Sequence, residues 1–176
     1  MRRRIAIWLA LLLVATVTLV LAVAPFGAAH AAHRDLLINR TLTEFTSGPN
    51  AGDHVIIYGS GSWNTATGAV QAGGMLVHKA EDGSLVARAP WRATGVESFD
   101  SFGGNGFLEG GVLVLDVRVY ASGGPVDVDD FTITCLIGTA PAGAEEGVMV
   151  PSIGLVESID TPHRFTLFFQ GTNTAP

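Results

Sequence analysis

Residues 112–137 read VLVLDVRVYASGGPVDVDDFTITCLI. Apolar and polar side chains alternate on both sides of the central Ser122-Gly123-Gly124-Pro125, which has the composition of a tight turn. A period of two residues places alternate side chains on opposite faces of a β-strand. This stretch therefore predicts an antiparallel hairpin with one apolar face and one more polar face.

The second strand of this hairpin changes phase at Asp129-Asp130. Before the two acids the apolar positions are Val126 and Val128, and after them the apolar positions begin at Phe131. One extra residue, a β-bulge, returns both runs to the same face, whereas an unbroken strand would turn one of them outward. We therefore expect the two acids to oppose a single residue near Arg118.

An Asp-Gly pair at positions 82–83 lies between two further alternating runs, and this pair is a strong hairpin signal. A two-residue loop at this pair places His78 opposite Ala87 and Gly74 opposite Trp91. The pairing of a bulky indole with glycine indicates that the ring lies over bare backbone.

From Asp35 onward, short apolar runs alternate with turn residues at intervals of about ten residues, which is typical of a sandwich or barrel. The sequence predicts an all-β fold, a single antiparallel β-barrel or β-sandwich of about eight or nine strands. One domain is expected over residues 32–176. The expected strands are Leu36–Phe45, Val55–Trp63, Val70–Lys79, Leu85–Thr94, Val96–Phe102, Phe107–Tyr120, Val126–Ile137, Gly147–Val156 and His163–Phe169.

The N-terminus has the three parts of a secretory signal peptide. Three arginines precede an uncharged, predominantly apolar run from Ile5 to Ala24, Pro25 ends that run, and Ala29-His30-Ala31 fits a cleavage site. We expect residues 1–31 to be removed and the protein to be secreted. The alternative is an uncleaved helix that anchors the domain in a membrane with the domain facing outward, because the run is long enough to span a bilayer.

The remaining chain is strongly acidic. Removal of residues 1–31 takes away three arginines and no acid, which leaves seven basic and sixteen acidic side chains. Such a surface repels nucleic acid and anionic lipid, since both require clustered cations. The expected partners are therefore a small molecule, a glycan or a surface partner, with no nucleic acid and no membrane after cleavage.

Cys135 is the only cysteine, so an internal disulfide is excluded. Its position shares a face with Phe131 and Ile133, and no histidine or acid lies nearby in sequence to activate the thiol. The pattern favours a small buried hydrophobe, while a nucleophile or an intermolecular disulfide is the alternative.

The acidic pair and its neighbour Asp127 make a candidate metal site. Asp127, Asp129 and Asp130 could offer carboxylate oxygens to calcium, although their spacing is not that of an EF-hand loop. The competing interpretation is an exposed ion pair between Asp129 and Arg118. No cofactor is expected, with calcium left open. Zinc would require convergence of distant histidines, and the candidates are His54, His78 and His163.

Aromatic side chains are the candidate ligand-binding residues. Clustered at one end of a barrel, they could hold an apolar ligand or stack on sugar rings, although core packing explains them equally well. The glycine-rich segment 101–107 is the best candidate for a mobile rim. The candidates are Trp63, Trp91, Phe102, Phe107 and Tyr120.

No Gly-x-Ser-x-Gly or His-Glu-x-x-His motif is present. The favoured function is therefore non-catalytic binding or surface association. The alternative is a cavity-type isomerase or cyclase acting on a hydrophobic molecule inside a barrel, with His78, Arg88 and Glu97 as its polar groups. A filled interior favours binding, and an open cavity on the order of several hundred Å³ containing His78 favours the enzyme.

The chain resembles a scattered group of small secreted β-proteins without assigned activity, over roughly residues 55–170. The resemblance implies an exported β-fold and supplies no reaction. In strand count, length and export the domain is also similar to the small antiparallel barrels of the dirigent and allene oxide cyclase type, whose hallmark motifs are not evident here. The stretches that carry the first resemblance are 61–63, 73–78, 89–94, 98–99, 130–138 and 145–148.

Overall fold

A computed structural model describes residues 32–158 and 165–171 of the chain. These residues form nine antiparallel strands and a short 3-10 turn, with no α-helix in the two described segments, so the all-β prediction is confirmed. The predicted signal peptide, residues 1–31, lies outside them. The strands are β1 His33–Phe45, β2 His54–Asn64, β3 Val70–Lys79, β4 Leu85–Gly104, β5 Leu108–Ala121, β6 Gly124–Cys135, β7 Gly147–Met149, β8 Leu155–Ser158 and β9 Phe165–Gln170.

The hydrogen-bonded strands close into a ring, because β4, at one edge of the strand order, also pairs with β5. The sheet runs in the order β4-β3-β2-β1-β9-β5-β6-β7, and β4 also pairs with β5. Between β1 and β5, strand β9 closes one end of the sheet through only two residue pairs to β5. At the other end β8 pairs with β1, and Thr43 of β1 donates a side-chain hydrogen bond to the carbonyl of Val148 in β7.

Strand β4 corrects the expectation of two strands, Leu85–Thr94 and Val96–Phe102. It is one strand of twenty residues. Its first part pairs with β3 and its remainder with β5, and three register shifts along the second pairing accommodate the change of direction. Gly95 lies at the first of these shifts, so the residue that signals a break in the sequence marks a bulge within a continuous strand.

The expected strand Gly147–Val156 is instead divided into β7 and β8. A 3-10 turn, Pro151–Ile153, separates the two strands. Proline at the start of this turn donates no backbone hydrogen bond to a sheet, and Gly154 ends the turn in the left-handed region with φ 77°.

Both predicted hairpins are present, with the predicted residues paired across most of their strands. In the β5–β6 hairpin Ala121 pairs with Gly124, which leaves a two-residue loop. In the β3–β4 hairpin His78 pairs with Ala87 and Gly74 pairs with Trp91, as expected. The predicted two-residue loop of the latter is wrong, because Ala80 N–H bonds the carbonyl of Ser84 across a three-residue loop. A register shift next to His78 then restores the predicted pairing.

The predicted bulge in β6 is confirmed. Leu115 pairs with Phe131 and Val117 with Val128, so two residues of β6 lie opposite one residue of β5. The opposed residue is Asp116, two residues before Arg118. The side chains of Leu115, Val117, Val128 and Phe131 are all buried, which is the condition that the bulge was expected to satisfy.

One hydrophobic core joins the buried faces of the strands. Trp91 illustrates how glycine shapes it: a Cβ on Gly59 would lie 2.4 Å from Cζ2 of the indole, so the ring covers bare backbone at Gly59 in β2 rather than at its paired residue Gly74. The indole N–H donates to the carbonyl of Tyr58 at 3.0 Å. This bond satisfies the one polar atom of a buried side chain.

Cys135 is fully buried, which agrees with its interpretation as a small hydrophobe. Burial raises the pKa of its thiol. A raised pKa leaves less thiolate at neutral pH, and the thiolate is the nucleophile. We therefore expect an aromatic disulfide reagent to react only slowly with the folded protein and rapidly in guanidinium chloride. Rapid labelling of the folded protein would contradict this expectation.

Candidate functional site

An apolar cavity of about 200 Å³ lies at the end of the sheet where β1, β3 and β5 end and where β2, β4 and β6 begin. Twelve of its thirteen lining residues are apolar, and the remaining one is His78. The lining residues are Phe45, Val55, Leu76, His78, Ala87, Ala89, Val119, Ala121, Val128, Phe131, Val150, Ile153 and Leu155.

Small side chains on the cavity-lining faces of β4 and β5 leave this space. Ala87 and Ala89 alternate along β4, and Ala121 ends β5 on the same face as Val119. The neighbouring layer of the core holds larger groups, among them Trp91 and Phe131. The cavity therefore lies between the filled core and the end of the sheet, where the alanine side chains are too small to occupy the space.

His78 is held in one orientation beside this cavity. Its Nε2 lies 2.8 Å from Oδ2 of Asp53, and its ring centroid lies 5.5 Å from that of Phe45. The other carboxylate oxygen of Asp53 accepts the backbone N–H of Glu81 at 3.1 Å. An ionised carboxylate only accepts hydrogen bonds, so Nε2 donates, and Nδ1 of the neutral imidazole carries the lone pair.

The β6 bulge supports one wall of the cavity. Asp130 accepts two hydrogen bonds of 2.6 Å, from the backbone N–H and the hydroxyl of Ser152. These bonds hold the 3-10 turn whose Ile153 is 48% exposed while it lines the cavity. The bulge that restores the strand phase thus also positions the Asp130 carboxylate, which holds the 3-10 turn at the lip of the cavity.

Of the three expected polar groups of an enzyme, the structure brings only His78 to the cavity. Arg88 lies between Ala87 and Ala89 in β4 and is exposed on the opposite face. Glu97 is also exposed, at a register shift between β4 and β5. Asp53, which the sequence analysis did not single out, is the polar partner that His78 has instead.

The aromatic candidates do not gather into one cluster. Trp63 and Trp91 are buried in the core, where Trp63 packs edge-on against Phe168 at 5.3 Å. Tyr120 is exposed beside the β5–β6 loop. Phe107 is exposed in the β4–β5 turn at the opposite end of the sheet, and Phe102 is half-buried nearby. Phe45 and Phe131, which were not predicted, are the aromatic residues of the cavity.

The three candidate calcium ligands do not converge: Asp127 and Asp130 bind different partners, and Asp129 is exposed. Arg118 donates two hydrogen bonds to Asp127, at 2.7 and 3.0 Å, and these lower the pKa of that carboxyl. The expected pair between Asp129 and Arg118 is therefore wrong, because the bulge begins after Asp127 and Val128. Asp130 binds Ser152. Within residues 32–158 and 165–171 no three histidine, cysteine or acidic side chains are placed to hold a metal ion; His163 lies outside this part.

A buried ion pair at the other end of the sheet was missed. Nε of Arg34 contacts Oε2 of Glu109, and the hydroxyl of Ser101 donates to Oε1 at 2.6 Å. Both charged residues lie in phase with buried positions of their strands, Arg34 with Leu36 and Glu109 with Leu113. This parity is the sequence signal that could have identified them.

No protein-family model, curated protein or solved structure was found to match this chain. Nor does the described part of the chain contain a helix long and apolar enough to cross a membrane. Among the side chains that the fold brings together, the apolar cavity with His78 is the site with the most defined chemistry.

Proposed function

We propose that the protein binds a small apolar molecule in the cavity at this end of a small antiparallel β-barrel. The supporting observation is an almost wholly apolar lining with one oriented polar side chain, which is the usual composition of a ligand pocket. If the predicted signal peptide is cleaved, this binding takes place outside the cell. The acidic surface would keep such a carrier or receptor in solution.

The cavity volume limits the size of the ligand. A designed cavity of about 150 Å³ lined by aliphatic side chains takes up benzene, whereas pockets for drug-sized molecules begin at about 300 Å³. The volume here, about 200 Å³, lies between these values. It suits a single substituted ring or a short branched chain.

A cavity-type enzyme remains the second candidate on one observation. A histidine oriented by a carboxylate beside an apolar cavity is what a general base requires, and His78 with Asp53 has that arrangement. Binding is favoured because Arg88 and Glu97 lie on the surface and because the cavity, about 200 Å³, is smaller than the enzyme hypothesis expected.

Filling the cavity tests the binding proposal. Toluene titrated into the protein after removal of residues 1–31 should bind, as measured by calorimetry and by NMR shifts of cavity methyl groups. Ala89→Leu should weaken toluene binding by about tenfold or more, because the added side chain occupies the space. Ala87→Leu, at the exposed rim, should weaken it with less strain on the core.

Arg88→Leu is the matched control, since it adds a leucine to the same strand on the opposite face. It should leave toluene affinity unchanged. Failure of the unmodified domain to bind either toluene or phenol, or equal binding of toluene by Ala89→Leu, would overturn the proposal.

A further inference from the structure

We propose, on the basis of the binding function above, that the ligand carries one hydrogen-bond donor, a hydroxyl or N–H group on its apolar body, and that Nδ1 of His78 accepts it. The ligand class is thus a small phenol or alcohol rather than a hydrocarbon, an ether or an acid.

The tautomer of His78 determines which ring nitrogen can accept a hydrogen bond. Asp53 accepts a hydrogen bond from the N–H group at Nε2. Nδ1 of the neutral ring therefore has a lone pair that can accept a hydrogen bond from a ligand. Among residues 32–158 and 165–171, no group makes a hydrogen bond to Nδ1. Because the other twelve lining residues are apolar, their side chains offer no competing polar contact.

The imidazole is also held rigidly. Asp53 is fixed in turn by the N–H of Glu81, and Phe45 packs on the ring at 5.5 Å. A side chain already held in place loses little conformational freedom when it accepts a ligand hydrogen bond.

The charges around His78 exclude other ligand classes. Asp53 bonds the ring directly, and the side chain of Glu81 lies beside Gly52 in the preceding loop. An anionic ligand would therefore meet negative charge with no cation in the lining. A ligand that only accepts hydrogen bonds, such as an ether, would face the lone pair of Nδ1.

The experiment compares three probes of similar shape: toluene, anisole and phenol. At pH 8, phenol keeps its proton and an ordinary imidazole is neutral. The measured quantity is the ratio of phenol affinity to toluene affinity. This ratio should be about fivefold higher in the unmodified domain than in His78→Phe, which corresponds to the free energy of one ordinary hydrogen bond. Anisole should show no such change.

Asp53→Asn is the second variant, because it preserves shape and releases the tautomer. An amide can donate to Nε2, which moves the ring proton to Nδ1, so the preference for phenol over toluene should fall here as well. Arg88→Leu should retain the full preference. The Asp53 variant keeps the inference testable if His78→Phe fails to fold.

The outcomes separate this inference from the binding function. If toluene and phenol bind with a ratio that neither variant changes, the cavity binds ligands but His78 does not select a donor, and the inference is overturned. If none of the probes binds the unmodified domain, the binding function itself fails. A preference for phenol that is lost in both variants supports the inference.

Discussion

Replacing Glu109 alone by glutamine should lower the free energy of unfolding by about 3–5 kcal/mol, the usual cost of removing one partner of a buried ion pair. Glu109 is only 5% exposed, and its carboxylate joins Arg34 and Ser101. After the substitution the partly buried guanidinium would lose the negative charge of the Glu109 carboxylate.

The position of this pair increases its importance. Arg34 lies near the start of β1 and Glu109 near the start of β5, and β9 lies between these two strands in the sheet. In the described residues, β9 pairs with β5 through Leu108 and Glu109. The ion pair therefore ties together the two strands at the end of the sheet where backbone pairing is shortest.

A double variant distinguishes this explanation from general damage. Arg34→Met with Glu109→Leu removes both charges and should be more stable than Glu109→Gln in urea denaturation, because neither charge is then left buried without the other. Asp127→Asn, which breaks the exposed pair with Arg118, should have a far smaller effect. Similar losses from Glu109→Gln and Asp127→Asn would contradict the buried role of the pair.

Local patterns predicted the features that depend on neighbouring residues. The bounds of β3, the pairing of His78 with Ala87 and the bulge at Asp129-Asp130 all follow from the two-residue period and turn composition. The division of Gly147–Val156 also had a local signal, Pro151, whose meaning depended on the structure around it.

Distant contacts could not be predicted in the same way. The period of a strand identifies its buried face but not the strand beside it, so the position of β9 between β1 and β5 had no local signal. Asp53 lies 25 residues before His78, in a loop without periodicity. The cavity depends on which alanines meet at one end of the sheet, and this is decided by the register of several strands together.

Deleting Asp129 should cost several kcal/mol of unfolding free energy, whereas Asp129→Asn should cost about 0.5 kcal/mol or less. The bulge places Asp129 and Asp130 opposite Asp116 alone. Removing one residue makes the strand continuous, so either the side before the bulge or the side after it must turn to the opposite face.

The parts of β6 before and after the bulge differ in how firmly they are held and in how many buried side chains they carry. The tight β5–β6 loop fixes Val128 opposite Val117, so the later part of β6 is the part that would slip. That part carries Phe131, Ile133 and Cys135, each at most 1% exposed. Each buried apolar side chain contributes roughly 1.5–3 kcal/mol, so exposure of these groups would exceed any effect of the lost charge.

The substitution isolates that charge. Asp129 is exposed, and within residues 32–158 and 165–171 its carboxylate makes no hydrogen bond or ion pair, so asparagine keeps the residue count and removes little else. Chemical denaturation of the two variants gives the comparison directly. Because Asp130 holds Ser152 at the lip of the cavity, the deletion should also abolish toluene binding, while Asp129→Asn should preserve it. Equal and small losses of stability in the two variants would show that the bulge does not set the register of β6.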